Sequence, residues 1–169
     1  MNLFEKIENF KKLFKKKKFD ELINQIDEIE EKNSFIINIY AAAKLLRNNI
    51  EKKDKLSALQ NFEKAYLMDK SSEHALNSLG NYINLATEFG EFKKIFKYYK
   101  EAIEFFGENV ILLEAIQRTY RFLHRPEDRN KILKKLIDKK TNSIIIWSSY
   151  LYTNNFISSF FSQKQHFDL

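Results

Sequence analysis

The chain has 169 residues, 44% of them apolar and 15% aromatic, which is ample material for the core of one ordinary domain and argues against intrinsic disorder. Three glycines and one proline leave little for hairpins or phosphate-cradling loops and disfavour a β-rich or nucleotide-binding fold, while the absence of cysteine excludes disulfides, thiolate metal sites and cysteine nucleophiles and fits a reducing compartment. The net charge of +6 is uneven: +5 over residues 1–18 (seven Lys, two Glu), −5 over 19–117 (twelve basic, seventeen acidic) and +6 over 118–140 (nine basic, three acidic), so two basic ends flank an acidic middle, a pattern that suits nucleic acid, an acidic peptide or an anionic membrane.

Met1 to Phe14 interleaves Leu3, Phe4, Ile7, Phe10 and Phe14 with Glu5, Lys6, Glu8 and Lys11, so it lacks the unbroken apolar core of a signal peptide. It is also neither Arg-rich nor acid-poor, as a mitochondrial presequence would be. No apolar run approaches the ~20 residues that span a bilayer, and a cytoplasmic location is expected. Lys15 to Lys18 read as a solvated turn; the same four residues also fit the loose pattern of a nuclear localisation signal. Polar clusters at Glu31 to Ser34, Lys52 to Lys55, Asp69 to Glu73, Gly107 to Asn109 and Lys139 to Ser143 fall where turns belong. Ser34 and Ser72 are the expected N-caps, and Pro126 should sit in the first turn of a helix, the preceding one ending near His124. The predicted helices cover about 2–16, 19–31, 34–52, 55–69, 73–89, 91–106, 109–123, 126–139 and 143–154.

Shifted by 37 residues, the chain aligns with itself: Ile39, Ala42, Ala43 and Leu46 fall on Leu76, Leu79, Gly80 and Ile83, and then on Leu113, Ile116, Gln117 and Tyr120. Downstream, Ala58, Phe62 and Ala65 fall on Ile95, Tyr99 and Ala102, and Ile132 and Leu136 continue the series. Both sets have the i, i+3, i+4, i+7 spacing of an amphipathic helix, so each repeat is a helix pair, A then B. The repeats span about 2–31, 34–69, 73–106 and 109–139, with a partial one at 143–155. The domain is thus 1–155, and 156–169 is a C-terminal cap, docking segment or linker remnant.

Leu76-x2-Leu79-Gly80-x2-Ile83, Trp147-x2-Tyr150-Leu151 and Ala58-x3-Phe62 with Ala65 resemble the tetratricopeptide family, whose unit reads W-x2-L-G-x2-Y on helix A and A-x3-F on helix B. The resemblance implies an all-α fold of antiparallel helix hairpins stacked as a tetratricopeptide-like solenoid. The family's unit is ~34 residues, and the surplus here lies between Gly80 and Gly90, lengthening one helix A by about a turn. In the family, helices A line a concave groove that holds a peptide. The matching positions are Tyr40, Lys44 and Arg47, then Asn77, Asn81 and Asn84, then Glu114, Arg118 and Arg121, with Lys44, Asn81 and Arg118 in one column. An Asn flanked by cations suits a peptide backbone and its carboxylates. It is similar to the carboxylate clamp of co-chaperone tetratricopeptide domains and the asparagine ladder of O-GlcNAc-transferase arrays.

His74, His124 and His166 fit no metal spacing, and no nucleophile elbow, dinucleotide fingerprint, phosphate loop or D-x-D pair occurs, so no catalytic residue, metal site or cofactor is assigned. The expected function is a protein–protein interaction scaffold whose groove binds a peptide or partner protein, acidic or carboxylate-bearing, and not an enzyme. Two alternatives stay open. The tail, Ser148 to Phe156 followed by Ser162 to Phe167, is similar to the stretch leading into the catalytic half of tetratricopeptide-fronted glycosyltransferases, which would make the chain a substrate-recognition arm. Sixteen Phe and eight Tyr would serve an RNA-binding helical-repeat protein as stacking platforms, but Phe10, Phe14, Phe62, Phe92, Phe96, Tyr99 and Phe106 follow core spacing, which ranks nucleic acid below protein as the partner.

Overall fold

A computed structural model describes the backbone of residues 2–47, 50–139 and 143–167, and the side chains of these up to residue 159. Among the described residues every regular element is an α-helix: α1 (Leu3–Lys15), α2 (Phe19–Asp27), α3 (Ser34–Leu46), α4 (Lys52–Met68), α5 (Glu73–Phe89), α6 (Phe92–Phe106), α7 (Val110–Phe122), α8 (Pro126–Asp138) and α9 (Ile144–Phe167). None of them is long and apolar enough to cross a membrane. The chain forms two compact units, Met1–Leu85 and Ala86–Leu169. In the first, α1, α2 and α3 pack on one another and α3 pairs with α4; in the second, α6 packs on α7, α7 on α8 and α8 on α9.

Local chemistry fixes the helix ends. At α1 the Glu5 N–H donates to Asn2 Oδ1 and the Asn2 N–H to the Glu5 carboxylate, both 2.9 Å, a reciprocal cap. The cap of α3 is Asn33, whose Oδ1 accepts from Ile36 N–H at 2.9 Å, and not Ser34, which is the first helical residue. Ser72 caps α5 through Ala75 N–H (3.1 Å), and Pro126 opens α8, both as expected. Two helices stop early. Asp27, Glu28, Glu30 and Glu31 would crowd the negative end of a helix running to residue 31, and α2 ends at Asp27. Helix α3, expected to reach residue 52, ends at Leu46 because Arg47 turns extended (ψ 163°) and its guanidinium pairs with Asp54 at 2.9 Å. Asn48 and Asn49, within that expected span, and residues 140–142, within the expected turn before α9, lie outside the described residues.

Three of the turns between successive helices are built alike. Lys17, Gly90 and His124 take the left-handed conformation, with φ of 58°, 75° and 52°. The next residue's N–H then reaches back five residues: Lys18 to Leu13 O (3.0 Å), Glu91 to Ala86 O (3.1 Å) and Arg125 to Tyr120 O (2.9 Å). This is the Schellman closure of a helix C-terminus, and the B helix starts two residues after the left-handed one. The lysines at 15–18 are all exposed around the first such turn. The α3–α4 connection replaces this turn with the Arg47–Asp54 pair.

The apolar stripes face inward as their spacing requires. Phe10, Leu13, Leu22, Ile23, Ile26, Ile36, Ile39 and Ala43 form one buried cluster in the first unit. Ala58, Phe62 and Ala65 are buried, as are Leu76, Leu79, Gly80 and Ile83, and, in the second unit, Leu113, Ile116, Ile132 and Leu136. Trp147, read above as a helix A core position, is instead 47% exposed; Ile146 and Thr153 turn α9 inward. The extra turn of helix A is present, since α5 has 17 residues against 13 in α3 and α7. Counted from the turns, Gly90 and His124 are 34 residues apart, so Ile132 and Leu136 correspond to Tyr98 and Ala102 and not, as the 37-residue offset has them, to Ile95 and Tyr99.

Two stability predictions follow from these placements. Gly80→Leu, at a buried mid-helix position, should destabilise the protein by ~1–3 kcal/mol through overpacking; an unchanged thermal midpoint would show that the position has room. Asp54 accepts from Glu51 N–H at 3.0 Å, which, with Arg47, Lys53 and Lys44 nearby, holds its carboxyl below the usual range against the opposing effect of burial. The folded pKa lies below the unfolded value of ~3.9, so this contribution is complete above ~3.9 and disappears as the pH falls through the folded value. The Tm deficit of Asp54→Asn should therefore shrink below about pH 4, and a deficit constant into stronger acid would remove Asp54 from the acid response.

Candidate functional site

The nine positions expected to line a groove are all outside the core, and they divide between the two units. In the first, Tyr40 donates to Asp27 Oδ1 (2.7 Å) while Lys44 lies over its ring at 4.4 Å, and Asn81 Nδ2 donates to Asn38 Oδ1 (3.2 Å), joining α5 to α3. Two of the set are committed elsewhere: Arg47 to Asp54, and Asn77 to the Glu73 carbonyl of its own helix (3.1 Å). Asn84 is half-buried. In the second unit Glu114 is half-buried and Arg118 and Arg121 are exposed. Of these three, Arg121 opens onto a cleft of about 820 Å³ between the end of α7, the start of α8 and the middle of α9.

The origin of the cleft can be followed from the turn. Seven residues before and five residues after the left-handed residue, the first hairpin has Phe10 and Leu22, and the sequence around Gly90 has Ile83 and Ile95, one in each unit; all four are 1% exposed or less. At the same two places the α7–α8 hairpin has Gln117 and Arg129, and Arg129 Nε donates to Gln117 Oε1 at 3.2 Å. The other arm of the guanidinium, Nη1, donates to Thr153 Oγ1 on α9 at 3.0 Å. Thr153 is buried and passes its own proton to the Ser149 carbonyl (2.7 Å), so its oxygen is free to accept. A polar pair has taken the place of an apolar one, and α9 has been drawn into its network.

Around Arg129 the cleft is lined by aromatic and cationic side chains together with the carboxylates of Glu127 and Asp128. Tyr152 and Phe156 come from α9, Tyr120 from α7, and Arg125 stacks over the Tyr120 ring at 5.3 Å while pairing with Asp128 at 2.5 Å. Burial, and then the charge of Arg121, make the Arg129 guanidinium easier to deprotonate than usual, although an arginine remains charged at any physiological pH. Burial, and then Asp128, push the Tyr120 hydroxyl up. Among the described residues, Arg121 and Arg129 form no ion pair with a carboxylate. No group of three or more His, Asp or Glu is placed there to hold a metal.

Of this cleft the groove positions named from sequence include Arg121 alone. The missed signal is compositional: four of the five arginines, 118, 121, 125 and 129, fall within twelve residues, in the segment already marked by its +6 charge. What that spacing does not reveal is Thr153, which reaches the site by tertiary packing alone.

No protein-family model matches the chain, and neither a curated protein nor a solved structure gives a significant match.

The substitution of an apolar pair by Gln117 and Arg129 has a measurable consequence. Arg129→Ile alone strands Gln117 without its partner and should cost ~1–3 kcal/mol. Gln117→Ile with Arg129→Ile restores the pairing of the other hairpins and should melt no lower than the parent. Strictly additive losses in the double variant would show that the two side chains do not act as a pair.

Proposed function

We propose that this chain is a non-catalytic protein-binding module of tetratricopeptide-like helix hairpins, and that its C-terminal cleft takes a partner's carboxylate-bearing peptide segment. The observation that carries the reading is that two arginines line one cleft, Arg121 and the half-buried Arg129, neither of them ion-paired among the described residues although Glu127 and Asp128 also line it, at a place where the first hairpin buries phenylalanine and leucine. A half-buried cation with a second cation near it is stabilised by an anion, and a guanidinium fork receives a carboxylate through two parallel hydrogen bonds. The aromatic wall of Tyr120, Tyr152 and Phe156 supplies the apolar area that a single carboxylate lacks. At about 820 Å³ the cleft is in the range of specific ligand sites and fits a few residues of peptide, not a folded domain.

Three features support the repeat reading: the shared Schellman turns, the in-order packing of neighbouring helices within each unit, and the recurrence of the apolar stripes.

Selection of random peptides on the immobilised protein tests the reading. The enriched sequences should be rich in Asp and Glu beside an apolar residue, and should bind more weakly as salt rises. Gln117→Ile/Arg129→Ile and Arg121→Glu should each reduce their affinity at least tenfold, while Lys93→Glu/Lys97→Glu on α6 leaves it unchanged. Peptides without acidic residues, or equal loss in all three variants, would overturn it. So would single-stranded RNA binding that the cleft variants abolish while no peptide is enriched.

A further inference from the structure

Helix α9 differs from the helices before it in carrying no charged side chain from Ser143 to Gln163. Its inward side is set by the buried Ile146 and Thr153. At 100° per residue, Ile144, Ile145, Trp147, Leu151 and Tyr152 occupy the opposite half of the helix, and their exposures run from 47% to 84%. A helix packed on one side ordinarily turns charges outward, as α8 does with Lys131, Lys134 and Asp138. The exposed parts of the five residues add to roughly 700 Å², above the ~300–600 Å² of the largest apolar patch on a typical monomer and close to the ~800 Å² that is one partner's share of a stable interface.

Charge decides what covers this face. The chain carries +6, with exposed lysines at 15–18 and again on α8, so two copies repel wherever those surfaces meet. The outer half of α9 would let two copies meet without like charges opposed. It offers an acidic partner no cation, and an anionic lipid surface requires basic residues on the polar side of an interfacial helix, which α9 lacks through residue 163. A copy of the same face supplies matching area, with Ser148 and Asn155 between the apolar side chains to pair across the contact. We propose that the outer face of α9 is an isologous homodimer interface, α9 against α9, centred on Trp147 and Leu151. It is centred away from the cleft, which neither of these residues lines, and shares with the cleft wall only Tyr152.

Sedimentation equilibrium on the full chain from micromolar to hundreds of micromolar should show a monomer–dimer equilibrium. Trp147 is the sole tryptophan, so its emission should shift to the red as dilution dissociates the dimer. Leu151→Glu, at an exposed position, should keep the helical circular dichroism and the thermal midpoint measured at low concentration, and should shift the equilibrium at least tenfold toward monomer. Arg121→Gln, which leaves the Arg129–Thr153 bond to α9 in place, should leave the equilibrium unchanged, which separates this contact from the cleft. A wild-type mass of one chain throughout, with concentration-independent emission, would overturn the proposal. It would equally be overturned by co-flotation of a monomeric protein with phosphatidylserine vesicles, or by a dimer that Leu151→Glu leaves intact.

Discussion

A single left-handed residue sets the geometry of three hairpins, because once Lys17, Gly90 or His124 has closed the preceding helix, the following helix must start two residues later and in a fixed rotational register. Conformational cost limits who can occupy that position. Glycine takes it without penalty; Lys17 and His124 carry a strained φ at some cost, and hold it because both neighbouring N–H groups find carbonyls. From this register follows the opposition of the residue seven places before the turn to the residue five places after it. In the α7–α8 hairpin that opposition is an observed hydrogen bond, Arg129 to Gln117.

The cleft is a consequence of that register. An Arg in a slot that elsewhere takes Leu or Ile cannot be left without hydrogen-bond partners, since burying an unpaired charge is far costlier than any packing it gains. Gln117 satisfies one arm from within the hairpin, and the second arm is satisfied by Thr153, which fixes α9 against the hairpin at a place where it cannot close flush. The opening that remains is walled by Tyr120, Tyr152 and Phe156, and the positive charge stays at its base. Neutral acceptors satisfy the geometry of the guanidinium without neutralising it, which is the property an anion-receiving site needs. A structural arginine tied to a carboxylate would have lost it.

Much of the fold could be read in the sequence because the governing interactions are local. Stripe periodicity, the polar clusters between stripes and Pro126 put the start of every helix within three residues of where the structure has it. The failures are equally local in cause. Asn33 outcompeted Ser34 as a cap, and the ion pair of Arg47 with Asp54 ended α3. A helix of uniform 3.6-residue period has no way of announcing that its next residue will be captured by a side chain seven positions on. Trp147 misled for a different reason: the family pattern identifies a residue type at a position, but burial depends on what covers that position. The site was the least legible part, because Gln117, Arg129 and Thr153 are separated by 12 and 24 residues and follow no motif. A self-alignment anchored on the stripes gave an offset of 37, whereas one anchored on the turns gives 34 between the last two full hairpins and sets Arg129 directly under Ile95.

Tyr152 connects the two surfaces of α9, since it lines the cleft and also stands at the edge of the uncharged outer face. A second copy docked on Trp147 and Leu151 would cover the side of α9 away from Phe156 and would reach the cleft wall only through Tyr152. Holding that ring in place would preserve the apolar wall against which a bound peptide segment packs. Dimerisation and peptide binding would in that case favour each other, and by linkage each would strengthen the other by the same factor. The sign of that coupling depends on the absence of charge from α9: a lysine or glutamate at position 148 or 155 would place a fixed charge next to the cleft and make the coupling depend on salt.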